Sequence, residues 1–211
     1  MSNPLSIIAG ILSAYFLGAI PASFIFAKFL KGIDIRQVGS GNVGATNVFR
    51  AVGKLPALFV LLIDISKGAV AATLIAKYFY SSNDIFDYIS YRALLGYIAI
   101  CGHVWPVFLG FKGGKGVATI IGATITLAPF VFALSGIVWL IVFFLTNYVS
   151  LASIAMAVSL AISASILNQP FPIIIFTIAA CGLSIYKHKD NIKRLVRGEE
   201  RKTFILKKVK I

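Results

Sequence analysis

Hydrophobic and polar positions in this chain fall in long blocks rather than alternating residue by residue. Apolar runs cover about residues 5–29, 56–80 and 93–111, and no Lys, Arg, Asp or Glu occurs from Val117 to Tyr186. Uninterrupted runs of about 20 apolar residues predict membrane-spanning helices, whereas the strands of a barrel would alternate over shorter stretches. Pro21 predicts a kink in the first run. Pro129, Asn147 and Asn168-Gln169-Pro170 divide the uncharged stretch into pieces near 117–128, 130–146, 148–167 and 170–186. The first piece is short for a full span, which points to tilt, local thinning or a partly re-entrant path.

Composition sharpens the class. Of 211 residues, 59% are hydrophobic and 13% charged. Soluble domains run at about 45–50% apolar and about 25% charged. The excess apolar surface must face lipid, so the expected fold is all-α, a polytopic membrane protein forming a single integral domain over 1–211. No Lys or Arg precedes the first run at Leu5, unlike the basic start of a secretory leader, so the run is read as a retained span.

Charge sets the orientation. The net charge is +13, and Lys187 to Ile211 alone holds ten Lys or Arg against Asp190, Glu199 and Glu200. Segments 31–55, 111–116 and 187–211 are all net basic and are expected on the cytoplasmic side. The crossings between 116 and 187 must then be even in number. Four give seven transmembrane helices, with the N-terminus outside and the C-terminus cytoplasmic. Two crossings with re-entrant pieces are the alternative. The same rule accounts for the basic excess without nucleic acid. Cys101, Cys181, His103 and His188 lack the spacing of a disulfide framework or a metal site, so no metal or cofactor is expected.

Three polar clusters fall on the expected cytoplasmic side: "SGNVGATNVFR" (40–50), "FKGGKG" (111–116) and "KHKDNIKRLVRGEERK" (187–202). Each alone fits a turn or a headgroup anchor as well as a site. Together on one face they point to a shared site. Gly41 lets backbone approach an anion, Ser40, Asn42 and Asn47 add neutral donors, and Arg50 supplies a fork suited to phosphate. In the second cluster Gly113, Gly114 and Gly116 expose backbone donors beside Lys115, and Val117 opens a helix whose N-terminus favours an anion. It is not a nucleotide-hydrolase loop, since Leu109 and Gly116 stand where that pattern needs Gly and Ser or Thr. Asp64 and Lys67, spaced i, i+3 within a span, are ionisable residues at membrane depth and candidates for function or for a self-neutralising pair. Ser153 lies in a small-residue stretch that reads as helix packing on spacing alone. Arg50, Lys67, Lys115 and His188 offer the positive charge to balance two phosphorylated substrates.

These three clusters, with "GHVWPVFLGFKGGKGVAT" (102–119) and "HKDNIKRLVRGEERK" (188–202) at full length, resemble the signature motifs of the PlsY family of bacterial acyl-phosphate:glycerol-3-phosphate acyltransferases. The resemblance runs from the first span to the basic tail. It implies a seven-span inner-membrane enzyme that makes lysophosphatidic acid from glycerol 3-phosphate and acyl phosphate. It also implies substrate contacts at Ser40, Gly41, Asn42, Asn47, Arg50, Gly113 to Gly116, His188 and Asn191, with Lys67 and Ser153 at positions expected to touch substrate. Trp105 stands where Phe is usual, and Arg201 where a small residue or Pro is common. Lys115, Asp64 and His188 are the expected catalytic groups. Rival classes are an anion transporter using the same loops, a His-x4-Asp acyltransferase and a membrane scaffold. The second lacks its motif here, because Phe108 and Lys193 follow the two histidines at that spacing. The third leaves the three clusters unexplained.

Overall fold

The computed structural model describes residues 4–81 and 85–203, and every regular element among them is helical. The first apolar run forms α1 (Pro4–Ala19) and α2 (Ala22–Lys31). They are separated at Ile20-Pro21, where proline's missing N–H interrupts the ladder. Helix α2 ends at Gly32, whose φ of 69° closes the last turn onto the Lys28 carbonyl. The polar segment 31–55 is not a plain loop. It holds a 3₁₀ turn (Ile35–Gln37) and α3 (Ala45–Ala51) before α4 (Lys54–Val70). Helix α4 continues through a π-helical turn (Ala71–Ile75) into α5 (Ala76–Phe79). Then come α6 (Tyr88–Val104), α7 (Val117–Leu127), α8 (Pro129–Thr146), α9 (Val149–Ile166), α10 (Phe171–Lys187) and α11 (Lys189–Val196).

The breakers act as their chemistry dictates. Asp87 caps α6, accepting from the N–H groups of Ile89 and Ser90. Pro129 opens α8, and Asn147 ends it in the left-handed conformation with φ 60°.

Among the described residues five segments are long and apolar enough to cross a membrane: Pro4–Lys31, Lys54–Phe79, Tyr88–Leu109, Pro129–Thr146 and Val149–Ile166. A sixth, Phe171–Lys187, qualifies when taken with Lys189–Val196 across a 59° bend. The seventh expected crossing falls on α7, which has only 11 residues. At 1.5 Å per residue it is about 16 Å long, about half of a hydrocarbon core of about 30 Å.

Two close seams hold this bundle. A Cβ on Gly18 would lie 2.1 Å from the Ala99 carbonyl oxygen, and one on Gly102 2.2 Å from that of Tyr15, so α1 and α6 meet backbone to backbone. Likewise a Cβ on Gly68 would lie 2.0 Å from the Thr119 carbonyl oxygen, and one on Gly122 1.8 Å from that of Ile65, which seats α7 on α4. Small residues permit such approach where lipid provides no hydrophobic drive between helices. The far end of α7 is held by Arg92 of α6, which donates to the Thr126 carbonyl (2.6 Å) and to the Ala72 carbonyl (2.8 Å) in the π-helical turn. An unpaired carbonyl at membrane depth would be costly, and this bond satisfies one at the end of the short helix.

Gly122→Ala is expected to lower the thermal midpoint in detergent by several degrees. The new methyl meets backbone rather than a yielding side chain, and overpacking of this kind costs about 1–3 kcal/mol. Gly182→Ala, with nothing within 4 Å of the added atom, is the control and should leave the midpoint within a degree or so.

Candidate active site

The first cluster is a loop folded around one side chain. Asn47, on α3 and only 1% exposed, donates through Nδ2 to the carbonyls of Ile35, Val38 and Asn42, and its Oδ1 accepts the Ser40 N–H at 3.0 Å. With its amide bonded to four groups of the chain, Asn47 organises the loop. Gly41, at φ 68°, makes the turn beside it. Ser40 is exposed and Asn42 half-buried, and the side chains of both make no hydrogen bond among the described residues. Arg50, one turn on from Asn47, donates to Thr203 Oγ1 at 2.7 Å.

The second cluster is tied to the end of α6. The Gly113 N–H donates to the Val104 carbonyl (3.2 Å) and the Gly114 N–H to the His103 carbonyl (3.1 Å). These two amides, expected to face an anion, here tie the loop to the end of α6. Gly116, at φ 83°, opens α7, which no side chain caps. Anion recognition in this loop falls to Lys115 and to the start of α7. Lys115 Nζ bonds Asn191 Oδ1.

The third cluster completes the constellation. Asn191 on α11 donates to Glu200 Oε1 (2.7 Å), Ser150 on α9 donates to the same oxygen (2.9 Å), and Arg194 donates to Oε2 (2.8 Å). Burial works against charge on Glu200, but bonds from Arg194, Asn191 and Ser150 hold its carboxyl below the usual range. His188 sits in the bend between α10 and α11, buried, with Nδ1 2.7 Å from the Ser184 carbonyl. That bond places the proton on Nδ1 and leaves Nε2 as a lone-pair acceptor. Burial, then the charge of Lys115, push its pKa down to about 4, so the ring is neutral at pH 7. Burial also lowers Lys115 to about 8, against the opposing pull of Glu200. The result is a polar face where Arg50, Lys115 and Arg194 surround one carboxylate, an excess of cations suited to phosphate.

Sequence reasoning placed Glu200 in the third motif without giving it a role. Its partners lie six to fifty positions away, and only the tertiary fold joins them. Ser153 is 4% exposed, donates to the Val149 carbonyl (2.8 Å) and accepts from Trp139 Nε1 (3.3 Å), a helix-packing arrangement.

Asp64 and Lys67 do not join this group. Each is 2% exposed; Lys67 Nζ donates to Asp64 Oδ1 at 2.6 Å and to the Ile20 carbonyl at 2.5 Å. His103 Nδ1 lies 3.5 Å from the same carboxylate oxygen. Asp64, expected to be catalytic, and Lys67, expected to bind substrate, pair here with each other and with the carbonyl at the helix break.

The model of the family described as Glycerol-3-phosphate acyltransferase matches residues 8–198. A glycerol-3-phosphate acyltransferase of Desulforamulus reducens is 45% identical over 192 residues, covering 90% of this chain and 92% of that one. One from Aquifex aeolicus is 41% identical over 190 residues, covering 90% and 95%. The crystal structure of PlsY, an integral membrane glycerol 3-phosphate acyltransferase, in its glycerol 3-phosphate form superposes with a TM-score of 0.86 at 39% identity, covering 94% of this chain and 96% of that one. Its lysophosphatidic acid form gives 0.84 at 38% identity, with the same coverage. Sequence motifs, helical membrane architecture and the match over most of the length agree: the chain belongs to the glycerol-3-phosphate acyltransferase family and is an integral membrane enzyme of phospholipid synthesis.

Proposed function

We propose that this enzyme transfers a fatty acyl group from acyl phosphate directly to the sn-1 hydroxyl of glycerol 3-phosphate, giving lysophosphatidic acid and phosphate. The observation that carries the reading is the joining of Arg50, Lys115, Asn191 and Glu200, from all three clusters, into one network. Arg50 and the Ser40 and Asn42 side chains grip one phosphate. Lys115 and the start of α7 stabilise the carbonyl oxygen or the leaving phosphate as charge develops. The hydroxyl oxygen bonds to the acyl carbon, and the carbon–oxygen bond to phosphate breaks with its electron pair leaving on phosphate. The hydroxyl proton passes to a substrate phosphate, whose second pKa is about 6, a stronger base than the neutral His188. No acyl-enzyme is needed, because the mixed anhydride is already activated. Ser40 also lacks a base at hydrogen-bond distance among the described residues. What the site supplies is positioning and preorganised charge.

Purified enzyme in lipid is expected to release phosphate in step with lysophosphatidate from acyl phosphate, and to be poor with acyl-coenzyme A. Incubated with acyl phosphate alone, it should keep its unmodified mass. A stoichiometric adduct on Ser40 discharged by glycerol 3-phosphate would overturn direct transfer. Flux of glycerol 3-phosphate into liposomes without product would favour a transporter.

The proposed setting is the bacterial inner membrane, with seven spans and the site facing the cytoplasm. Cysteines placed at Ser81 or Gln169 should react with an impermeant thiol reagent from outside. A cysteine at Lys112 should react only after the membrane is opened, and external labelling there would reverse the orientation.

A further inference from the structure

Beneath the glycine-lysine loop lies a polar cluster that the reaction does not use. Its anchor is the break between α1 and α2. The Ile20 carbonyl there accepts the Ala22 N–H (3.0 Å) and the Lys67 amine. Lys67 holds Asp64, and Asp64 faces His103 Nδ1. The other edge of the imidazole meets the loops above. A Cβ on Gly114 would lie 2.2 Å from His103 Nε2 and 2.6 Å from the Val43 carbonyl oxygen. The His103 carbonyl meanwhile takes the Gly114 N–H. A cavity of about 10 Å³ is lined by Ser23, Val43, Asp64, Lys67, His103 and Gly113, among others. That is about the room one water needs. Ser23, 1% exposed, lines the cavity, and its Oγ has no hydrogen-bond partner among the described residues. A buried hydroxyl in polar company calls for one.

We propose that Asp64, Lys67, His103 and Ser23, with one internal water, form a buried support that sets the height and angle of the loop carrying Lys115, and that His103 is its positioning residue. A charge pair at membrane depth is a poor source of stability, since apolar side chains of similar volume often serve as well. The pair here does something apolar groups cannot. It fixes the imidazole by its Nδ1 side, leaving Nε2 against Gly114, at a point where any residue larger than glycine would collide. Lys115 follows Gly114 directly, so a shift of the support moves the amine relative to Arg50. A misplacement of about 1 Å can cost a large factor in a reaction governed by orientation.

The inference rests on the reading that this loop holds the phosphate of the acyl donor, and Lys115→Gln tests that reading separately by its KM for acyl phosphate. His103→Leu is expected to raise that KM about tenfold, with kcat changed less than about threefold and the thermal midpoint within a few degrees, as for a lost positioning contact. Asp64→Asn with Lys67→Met removes both charges together and leaves neither unpaired. It should fold and show the same rise in KM, and it decides the matter if His103→Leu does not fold. A crystal structure should show one ordered water in hydrogen-bond contact with Ser23 Oγ. If Lys115→Gln raises KM while both support variants keep the parent value, the support has no positioning role and the proposal falls. A drop in thermal midpoint with KM unmoved would likewise reduce the cluster to a structural plug. If Lys115→Gln itself leaves KM unchanged, the phosphate reading of the loop fails instead. An empty cavity would remove Ser23 and the water from the support.

Discussion

Lys115→Ala is expected to lower kcat/KM by at least about 10–100-fold while the protein still folds. A charge-assisted contact to phosphate is worth about 1.5–3 kcal/mol, and more if it strengthens as charge develops in the transition state. Arg50→Ala should fall in the same range, since guanidinium geometry cannot be replaced by solvent. Lys112→Ala is the contrast. Its side chain is exposed and makes no hydrogen bond or ion pair among the described residues, so a change within a fewfold is expected. The same lysine fixes a pH dependence. Burial depresses the pKa of Lys115 to about 8, so its positive charge is present below that pH and is lost as pH rises through it. Log kcat/KM for acyl phosphate should bend downward near pH 8 and approach a slope of −1. The limb in kcat should lie higher, because bound phosphate favours the charged amine. Lys115→Arg should move the limb out of range. A flat profile across pH 7–9 in the parent enzyme would separate Lys115 from phosphate binding.

Glu200→Ala is expected to cost more, about 100-fold or greater in activity. Its carboxylate is where donors from α9 and α11 converge on the tail. Removing one partner of a buried charge network leaves the others desolvated and unpaired, the costly case. Asn191 then loses the bond that orients it, and with it the acceptor that holds Lys115. Arg194 becomes an uncompensated cation near Lys115 and Arg50. Glu200→Gln keeps the shape and one acceptor, so an intermediate loss is expected. Trypsin provides an independent measure. The segment from Arg197 to Thr203 should be cut faster in Glu200→Ala, while the spans stay protected by detergent or lipid. Equal protection with full activity would show that the tail does not organise the site.

Much of this architecture was legible because lipid and proline impose strict rules. The divisions at Pro129, Asn147 and Asn168–Pro170 coincide with real helix boundaries, since proline cannot continue a ladder and asparagine tolerates the left-handed cap. The shortness of the piece at 117–128 was equally visible. What the pattern could not give was its partner: the seam to α4 depends on Gly68 and Gly122 facing each other across 54 positions. Within the site, Arg50, Lys115 and His188 stood out because their charge or chemistry is unusual at such positions. Asn47 and Glu200 were harder. Asn47 looks like a ligand by residue type, and the structure gives it a set of bonds that organises the loop, which residue type alone does not disclose. The i, i+3 spacing of Asp64 and Lys67 made their pairing legible, whereas the contact of Asp64 with His103 depends on the packing of α4 against α6.

The tail has a consequence for the order in which the site comes into being. Arg50 reaches Thr203 across 153 positions, and the Thr203 N–H reaches the Asn147 carbonyl. Contacts of such separation are the last to form in any chain made from its N-terminus. Every span can be inserted before residue 200 has left the ribosome, but the carboxylate that aligns Asn191 and Lys115 cannot yet be in place. Binding competence therefore arrives only once residue 200 is free to fold back, rather than growing helix by helix, and a nascent chain lodged in the membrane has its cations present but not yet gathered around Glu200.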